Sequence, residues 1–152
     1  MRSGLIALLL VPLLAFAGLT EDAPKGTFSE SFLILPEDVR DAAKAGRRVV
    51  VFFEQEGCPA CLKMARTTLT DGTVAERLRR RFVLLAVDIF GARETVWVDG
   101  VARSEKDLAK HLGVTGTPTV AILDEQGKRA RQFVGYRDAR AFLAILEAAA
   151  PR

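Results

Sequence analysis

Two continuous apolar runs are each long enough to form a buried strand. The first is Val49-Val50-Val51-Phe52-Phe53, at the end of a strand predicted over residues 47–53, and the second is Phe82–Val87, within a strand predicted over Phe82–Ile89. Uninterrupted runs of this kind are typical of central strands that are covered on both faces. Between the two runs, apolar residues at helical spacing predict one helix from Pro59 to about Thr68 and a second helix that ends before residue 82. This strand–helix–strand order predicts parallel pairing.

The rest of the chain predicts further helices and an antiparallel hairpin. Helices are expected after Pro36, after Ser104 and after Asp138, because each start is followed by an apolar stripe. Val120–Leu123 and the alternating segment 131–136 flank a turn and predict two antiparallel strands. The expected fold class is therefore α/β, with a central mixed sheet flanked by helices on both faces.

Residues 91–101 are irregular and contain the pattern of a small hairpin. Thr95-Val96-Trp97-Val98 precedes Asp99-Gly100, and Trp97 is the only tryptophan of the chain. We predict an insertion that packs on the edge of the domain. The alternative is a surface that faces a partner.

The N-terminal residues predict a targeting segment. Met1-Arg2 gives a positive start, Leu5–Leu14 is apolar, and Ala15-Phe16-Ala17 resembles a cleavage site. The prediction is a signal peptide over 1–17, a polar linker over 18–31 and one domain over 32–152, in a periplasmic or otherwise extracytoplasmic protein. An uncleaved N-terminal membrane anchor is the alternative, although the run is shorter than the ~20 residues of a usual span.

The distribution of charged residues along the chain indicates no particular binding partner. The formal net charge is +3 over 152 residues, and acids and bases are mixed except for an arginine run at positions 77, 79, 80 and 81. This run is interpreted as a solvated helix face, with contact to an anionic partner as the alternative. No aromatic residue is interleaved with it, so nucleic-acid binding is not predicted. A monomer is the simplest expectation.

The pair in Gly57-Cys58-Pro59-Ala60-Cys61 comprises both cysteines of the chain. The pair lies between the first predicted strand and the helix that follows it, so Cys58 is predicted as the N-cap and Pro59 as the first helical residue. Backbone N–H groups at a helix N-terminus stabilise negative charge, which favours a thiolate at Cys58. We predict a redox dithiol in which Cys58 is the nucleophile and Cys61 the resolving thiol.

Other interpretations of the pair remain. An inert structural disulfide would constrain little of the unfolded chain, because the loop it closes is so small. A zinc site usually needs four ligands, and the chain offers no third cysteine and only His111. Met64 on the following helix would matter only to a copper site and is more typical of core packing. No metal and no cofactor are predicted.

Glu54 stands four residues before Cys58, at the end of the first strand. A carboxylate in this place could relay protons to Cys61. The alternative is a solvated loop acid.

Four features together make the sequence resemble the thioredoxin superfamily. They are the Val49–Phe53 strand, Cys58-Pro59-Ala60-Cys61, Thr117-Pro118 before a strand, and the Gly127 hairpin with its terminal helix, and they cover about Leu33 to Ala150. Within the superfamily the chain is most similar to secreted SoxW-type thioredoxin-like proteins. The points of similarity are Phe53–Cys61, Asp88-Ile89-Phe90-Gly91, and Gly135-Tyr136 before the last helix.

The resemblance implies a thioredoxin fold, a cis Pro118 that faces the dithiol, and backbone pairing between Thr117 and a substrate chain. There are departures from the thioredoxin pattern. Pro-Ala rather than Gly-Pro separates the cysteines, and Phe52 stands where the family has a buried acid. Glu54 could replace that acid if the strand extends so far.

The resemblance implies an extracytoplasmic thiol:disulfide oxidoreductase that acts on proteins with disulfides or thiols. The reducing direction, favoured by the resemblance to SoxW-type proteins, would require electrons from a membrane thiol transporter, because the compartment is oxidising. The alternatives are a dithiol oxidase of the same fold and a copper-binding chaperone that uses Cys58 and Cys61.

Overall fold

A computed structural model describes Ala23 and residues 26–151. The predicted signal peptide lies outside the described residues, as does much of the predicted linker. The elements, in chain order, are α1 (Leu35–Lys44), β1 (Arg48–Glu54), α2 (Pro59–Lys63), α3 (Gly72–Arg81), β2 (Phe82–Asp88), β3 (Glu94–Val96), β4 (Ala102–Ser104), α4 (Glu105–His111), β5 (Thr119–Leu123), β6 (Arg129–Val134) and α5 (Ala139–Ala148).

The main sheet of the described chain has four strands in the order β2-β1-β5-β6. β1 and β2 are parallel in a register that runs from Arg48–Phe82 to Glu54–Asp88. β5 pairs antiparallel with β1, and β6 pairs antiparallel with β5. The predicted mixed sheet, with an early parallel unit and a late antiparallel hairpin, is confirmed.

The side chains of β1 alternate between two hydrophobic cores, one on each face of the sheet. Val50 and Phe52 belong to the core that contains the cysteines, together with residues of α3 and α5. Val51 and Phe53 belong to the opposite core, which α1, α4 and the β3–β4 hairpin cover. Helices therefore flank both faces, and this explains the uninterrupted apolar run of β1.

Helix starts follow the capping residues in the sequence. The side chains of Asp71, Ser104 and Asp138 accept backbone N–H groups in the first turns of α3, α4 and α5. The helix starts predicted at Ser104 and Asp138 are confirmed. Within the described residues, no helix has the length and apolar character needed to cross a membrane.

The helix that follows the cysteines changes its hydrogen-bond pattern. α2 ends at Lys63 and continues as a π-helical turn over Met64–Thr68, which the bond from Leu69 N to Met64 O closes at 3.0 Å. The helix predicted from Pro59 to about Thr68 is therefore present over this length, but its second half is π-helical and not α-helical. Thr68 and Leu69, at the end of this turn, are both fully buried.

The predicted small hairpin is present as β3 and β4, which pair antiparallel. Trp97 is only 8% exposed. The neighbouring Val98 packs so closely on Gly127, in the turn between β5 and β6, that a Cβ at Gly127 would lie 2.8 Å from its side chain. Trp97 is thus packed on the domain and does not form an exposed aromatic surface.

The arginine run differs from a purely solvated helix face. Arg77 forms an ion pair with Glu147 of α5, and Arg81 donates to the carbonyl oxygen of Pro151. Arg79 and Arg80 are exposed. Half of the run therefore attaches α3 to the C-terminal part of the domain.

Candidate dithiol–disulfide site

The loops at one edge of the sheet bring the predicted site residues together. β1 and β2 are parallel, so their carboxyl ends meet at this edge. β5 begins there and β6 ends there, because each is antiparallel to its neighbour. Cys58 follows β1, Pro118 precedes β5, the loop 89–93 follows β2 and Gly135 follows β6.

Cys58 and Cys61 form a disulfide, with an S–S distance of 2.12 Å and a Cα–Cα distance of 5.3 Å. Cys58 is the N-cap of α2, as predicted, and Pro59 is the first helical residue. The backbone N–H of Cys61 donates to Cys58 Sγ at 3.1 Å. Cys58 is 9% exposed and Cys61 is fully buried, so Cys58 is the sulfur that solvent and a partner can reach.

The segment before β5 contacts this reachable sulfur. The Thr117–Pro118 peptide bond is cis, and the Thr117 hydroxyl donates to Cys58 Sγ at 3.2 Å. Gly135 N donates to Pro118 O at 2.7 Å, and the Thr119 hydroxyl donates to Gly116 O at 2.6 Å. These bonds hold the segment between the end of β6 and the disulfide.

Glu54 is the last residue of β1 and is only 6% exposed. Strand alternation places it on the same face as Phe52, which belongs to the core of the cysteines. Its neighbour in register on β2 is Asp88. Burial of Glu54 contradicts the alternative of a solvated loop acid, and the proton-relay role stays a prediction.

Phe52 occupies the position at which the resemblance places a buried acid. It is fully buried, and the ring of Phe28 packs edge-on against it at a centroid distance of 5.8 Å. Cys61 and Met64 belong to the same core. The core on the inner side of the disulfide is therefore predominantly apolar, and Met64 is one of its packed residues.

α2 and the π turn that continues it both contact the loop that follows β6. Lys63 Nζ lies 4.3 Å from the centroid of the Tyr136 ring, a cation–π arrangement. The Thr68 hydroxyl donates to Arg137 O at 2.6 Å. Sequence reasoning did not assign these contacts, because Lys63 and Tyr136 are far apart in the chain.

Sequence reasoning also missed Glu105, which looked like an ordinary acid in the first turn of α4. It is 4% exposed, and its Oε1 accepts the backbone N–H of Asp88 at 3.2 Å and the Arg93 guanidinium at 2.7 Å. Glu105 thereby fixes the loop that follows β2. The pattern offered no signal for this role, because an acid in a first turn is usual for electrostatic reasons alone.

No group of three or more His, Cys, Asp or Glu residues able to hold a metal ion occurs in the described part of the chain. His111 Nε2 lies 3.6 Å from Asp99 Oδ2, and both side chains are partly exposed.

A disulfide-forming C-x-x-C at a helix N-terminus, beside a cis-proline segment and on a sheet of this order, defines the thioredoxin class of folds. The chain belongs to the thioredoxin-like domain family, whose model matches residues 35–150. The thioredoxin fold expected from the sequence is confirmed.

Among curated relatives, the thiol:disulfide interchange protein DsbD of Ralstonia nicotianae is 34% identical over 138 residues, which are 89% of this chain and 21% of that protein. DsbD of Actinobacillus pleuropneumoniae is 31% identical over 103 residues, which are 66% of this chain and 16% of that protein. The chain thus spans about a fifth of the length of these relatives.

Solved structures with this fold include a thioredoxin-fold protein from Helicobacter pylori, with a TM-score of 0.67 and 26% identity over 87% of this chain and 78% of that one. A thioredoxin from Thermus thermophilus has a TM-score of 0.59 and 29% identity over 75% and 82% of the two chains. The oxidised C-terminal domain of Neisseria meningitidis DsbD has a TM-score of 0.54 and 23% identity over 73% and 89%, and supports the fold.

Proposed function

We propose that the protein is a thiol:disulfide oxidoreductase that exchanges disulfides with other proteins through Cys58 and Cys61. The observation that carries this proposal is the asymmetry of the pair. Cys58 caps α2 and is partly accessible, whereas Cys61 is fully buried behind it. An accessible thiolate that a helix N-terminus stabilises is suited to attack, and a buried neighbour is suited to resolve.

The exchange begins from the reduced protein. The Cys58 thiolate attacks one sulfur of a substrate disulfide, forms a mixed disulfide and releases the other substrate sulfur as a thiolate. The Cys61 thiolate then attacks Cys58 Sγ, which releases the second substrate thiol and forms the Cys58–Cys61 disulfide. Two electrons pass from the protein dithiol to the substrate. The reverse sequence of steps would oxidise a substrate dithiol.

Three neighbours of the pair have proposed roles. The backbone of Thr117 pairs with an extended substrate segment, and Pro118 keeps this segment beside the sulfur. The Thr117 hydroxyl, 3.2 Å from Cys58 Sγ, stabilises negative charge on that sulfur during exchange. Glu54, buried on the cysteine face of β1, accepts the proton that leaves Cys61.

The proposed direction is reduction outside the cytoplasm, after removal of a signal peptide, with electrons from a membrane thiol transporter. The N-terminal pattern of the sequence and the similarity to proteins named DsbD support this part. The narrower SoxW-type resemblance stays a prediction. Oxidation of substrate dithiols is the alternative direction.

The redox equilibrium of the purified protein in defined thiol buffers tests the proposal. A potential near that of thioredoxin, about −270 mV, would support a reductase. A potential near about −120 mV would make the protein an oxidase and reverse the proposed direction. Absence of a reversible two-electron transition would contradict the oxidoreductase proposal and favour metal binding by the two thiols.

A further inference from the structure

A cavity on the face of the sheet opposite the cysteines plays no part in the proposed exchange reaction. Its volume is about 350 Å³. Its apolar wall is buried or half-buried and consists of Phe53, Trp97, Val98, Leu112 and Ala121. This wall belongs to the core that α1, α4 and the β3–β4 hairpin cover, whereas Cys58 and Cys61 belong to the other core. The sheet therefore separates the cavity from the disulfide.

The mouth of the cavity is polar and positively charged. Four exposed residues line it there, namely Gln126, Lys128, Arg129 and Gln132. Within the part of the chain that the structure describes, none of the lining residues is acidic, and the Lys128 ammonium group has no ion pair. The nearest acids in the chain have partners of their own. Asp124 accepts the backbone N–H groups of Gln126 and Lys128, and Glu125 pairs with Arg48.

A β-bulge places Arg129 at this mouth, and bulges that re-aim a side chain are over-represented next to functional sites. Leu123 pairs with Arg129. The preceding residue, Ile122, pairs with Arg131, which leaves Ala130 as the extra residue of β6. Paired residues face the same side of a sheet, and Leu123 belongs to the core beside the cavity, whereas Ile122 belongs to the core of the cysteines. Arg129 therefore faces the cavity and Arg131 faces away from it.

Gln132 lies on the same face as Arg129, because it pairs with Ala121 of the cavity wall. The Arg129 guanidinium donates to Gln132 Oε1 at 2.7 Å. This hydrogen bond engages the amide oxygen and leaves the amide NH₂ group of Gln132 to donate. A guanidinium, an ammonium and an amide donor thus lie at one mouth, an arrangement that suits a carboxylate.

We propose that the cavity binds a small aromatic carboxylate, with its ring inside the cavity and its carboxylate at the mouth. The volume lies within the range of small-molecule sites, about 300–1,000 Å³. Trp97 and Phe53 provide aromatic contacts for the ring, and Lys128 and Arg129 provide the opposite charge. This site is independent of the dithiol, and it gives the β3–β4 hairpin, which supplies Trp97, a role in binding.

The test follows the indole N–H resonance of Trp97 in nitrogen–proton NMR spectra. Trp97 is the only tryptophan of the chain, so this resonance is unambiguous and reports on the cavity wall directly. The isotope-labelled full chain is titrated with phenylpropionate up to the solubility limit of the probe. Phenylpropanol lacks the charge of this probe and propionate lacks its ring, so these two compounds are the matched controls.

The expected result is a saturable shift of the Trp97 resonance with phenylpropionate, and binding of either control compound that is at least about tenfold weaker. Arg129→Gln should weaken the binding of phenylpropionate about fivefold, as for an ion pair that stays partly hydrated. Arg131→Gln is the matched variant, because it removes the same charge from the other face of β6. It should leave the affinity within about twofold.

Three results would each overturn the proposal. Absence of a saturable shift would mean that the cavity takes no ligand of this class. Equal affinity for phenylpropanol would mean that the mouth does not recognise charge. Equal weakening by Arg129→Gln and Arg131→Gln would mean that the attraction is diffuse and not local to the mouth. Lys128→Gln provides the same comparison if Arg129→Gln does not fold.

Discussion

At the scale of single residues, the two cysteines differ in what surrounds them, and their variants should differ in consequence. Cys58→Ser should reduce disulfide exchange to the rate of the buffer, because the accessible sulfur is lost. Cys61→Ser should retain the first attack and accumulate a mixed disulfide, because the thiol that resolves it is missing. Non-reducing gels and intact mass spectrometry of each variant with a substrate disulfide would measure this.

The control is the variant that carries both Cys58→Ser and Cys61→Ser, which should form no covalent complex. Turnover that persists in Cys58→Ser would contradict the role of Cys58. A Cys61→Ser variant that never accumulates a mixed disulfide would contradict resolution by Cys61.

Gly91 provides a residue-scale test of the loop that follows β2. A Cβ at this position would overlap the buried carboxylate of Glu105 and lie 3.1 Å from the carbonyl oxygen of Asp88. Gly91→Ala should therefore lower the free energy of unfolding by about 1–3 kcal/mol, the usual cost of overpacking. Urea denaturation would measure the change.

Gly72 is the control for this substitution, since a Cβ there meets nothing within 4 Å. Gly72→Ala should not lower the free energy of unfolding and should raise it by up to about 1 kcal/mol, because alanine fits this helical position and restricts the unfolded chain. Equal effects of the two substitutions would contradict the close approach of Gly91 to Glu105.

The sequence predicted the residues whose role depends on their immediate neighbours. Cys58 as N-cap and Pro59 as first helical residue follow from the order of a strand, a turn and a helix. The burial of Glu105 could not be predicted, because its partners Asp88 and Arg93 come from a loop 12 and more residues earlier. Contacts of that range depend on how elements pack.

At the scale of elements, an ion pair connects the turn of the β3–β4 hairpin to β4. The Arg103 guanidinium donates to both oxygens of Asp99, at 3.0 and 2.8 Å, and Val101 N also donates to Asp99 Oδ1. These hydrogen bonds, that of Arg103 first, lower the pKa of Asp99 to about 2. Ionised Asp99 should therefore stabilise the hairpin above pH 4. This stabilisation should be lost as the pH falls towards 2, because the pKa of Asp99 is lower in the folded state than in the unfolded state.

Hydrogen exchange of the β3 and β4 amides would measure this effect. The Asp99→Asn variant should show lower protection factors in the hairpin at neutral pH, where each exchange rate is divided by the intrinsic rate at that pH, and little further loss of protection towards pH 2. Exchange in β1 is the internal control and should stay the same. Equal protection of the hairpin in wild type and variant at neutral pH would contradict the role of the ion pair.

Element types were predictable here because apolar spacing and caps are local signals. The two apolar runs, the caps Ser104 and Asp138 and the Asp99-Gly100 turn each identified an element that the structure contains. The π turn over Met64–Thr68 was not predictable. The apolar spacing through this segment fits an α-helix as well, and the choice of hydrogen-bond partner depends on the contacts of Thr68 and Leu69 with the rest of the domain.

At the scale of the whole molecule, Arg48 connects three elements at the edge opposite the cysteines. Its guanidinium forms a two-pronged pair with Glu125, at 3.0 and 2.8 Å, and donates to Ala149 O at 2.8 Å. The hydrogen bond from Arg48 holds the pKa of Glu125 below its usual range. Arg48 thereby joins β1, the β5–β6 turn and the end of α5.

Arg48→Lys should lower the free energy of unfolding by about 1–2 kcal/mol, because an ammonium group cannot reproduce the fork. Chemical denaturation would measure this, and the redox potential should stay within error because the cysteines lie at the other edge. Arg40→Lys is the matched control, since Arg40 and Asp41 form an exposed pair. A shifted potential in Arg48→Lys would contradict the independence of the two edges.

Topology was only partly predictable at this scale. Parallel pairing of β1 with β2 and the late hairpin follow from chain order and short connections. Apolar pattern and chain order left open whether β5 pairs with β1 or with β2, because both strands offered a suitable edge, and only the thioredoxin resemblance placed Pro118 facing the dithiol. In the structure β5 pairs antiparallel with β1. It is this pairing that brings Thr117 and Pro118 beside Cys58, so the site depends on a contact that only the whole domain defines.

The π turn in the helix of the cysteines has a consequence for comparing sequences within the family. A turn closed by the bond from Leu69 to Met64 holds one residue more than an α turn. In a relative whose corresponding helix is α throughout, an alignment should therefore show a single-residue gap within positions 64–68. Deletion of one of these residues should restore an ordinary helical turn, whereas insertion of one elsewhere in the helix would displace the face that contacts the core.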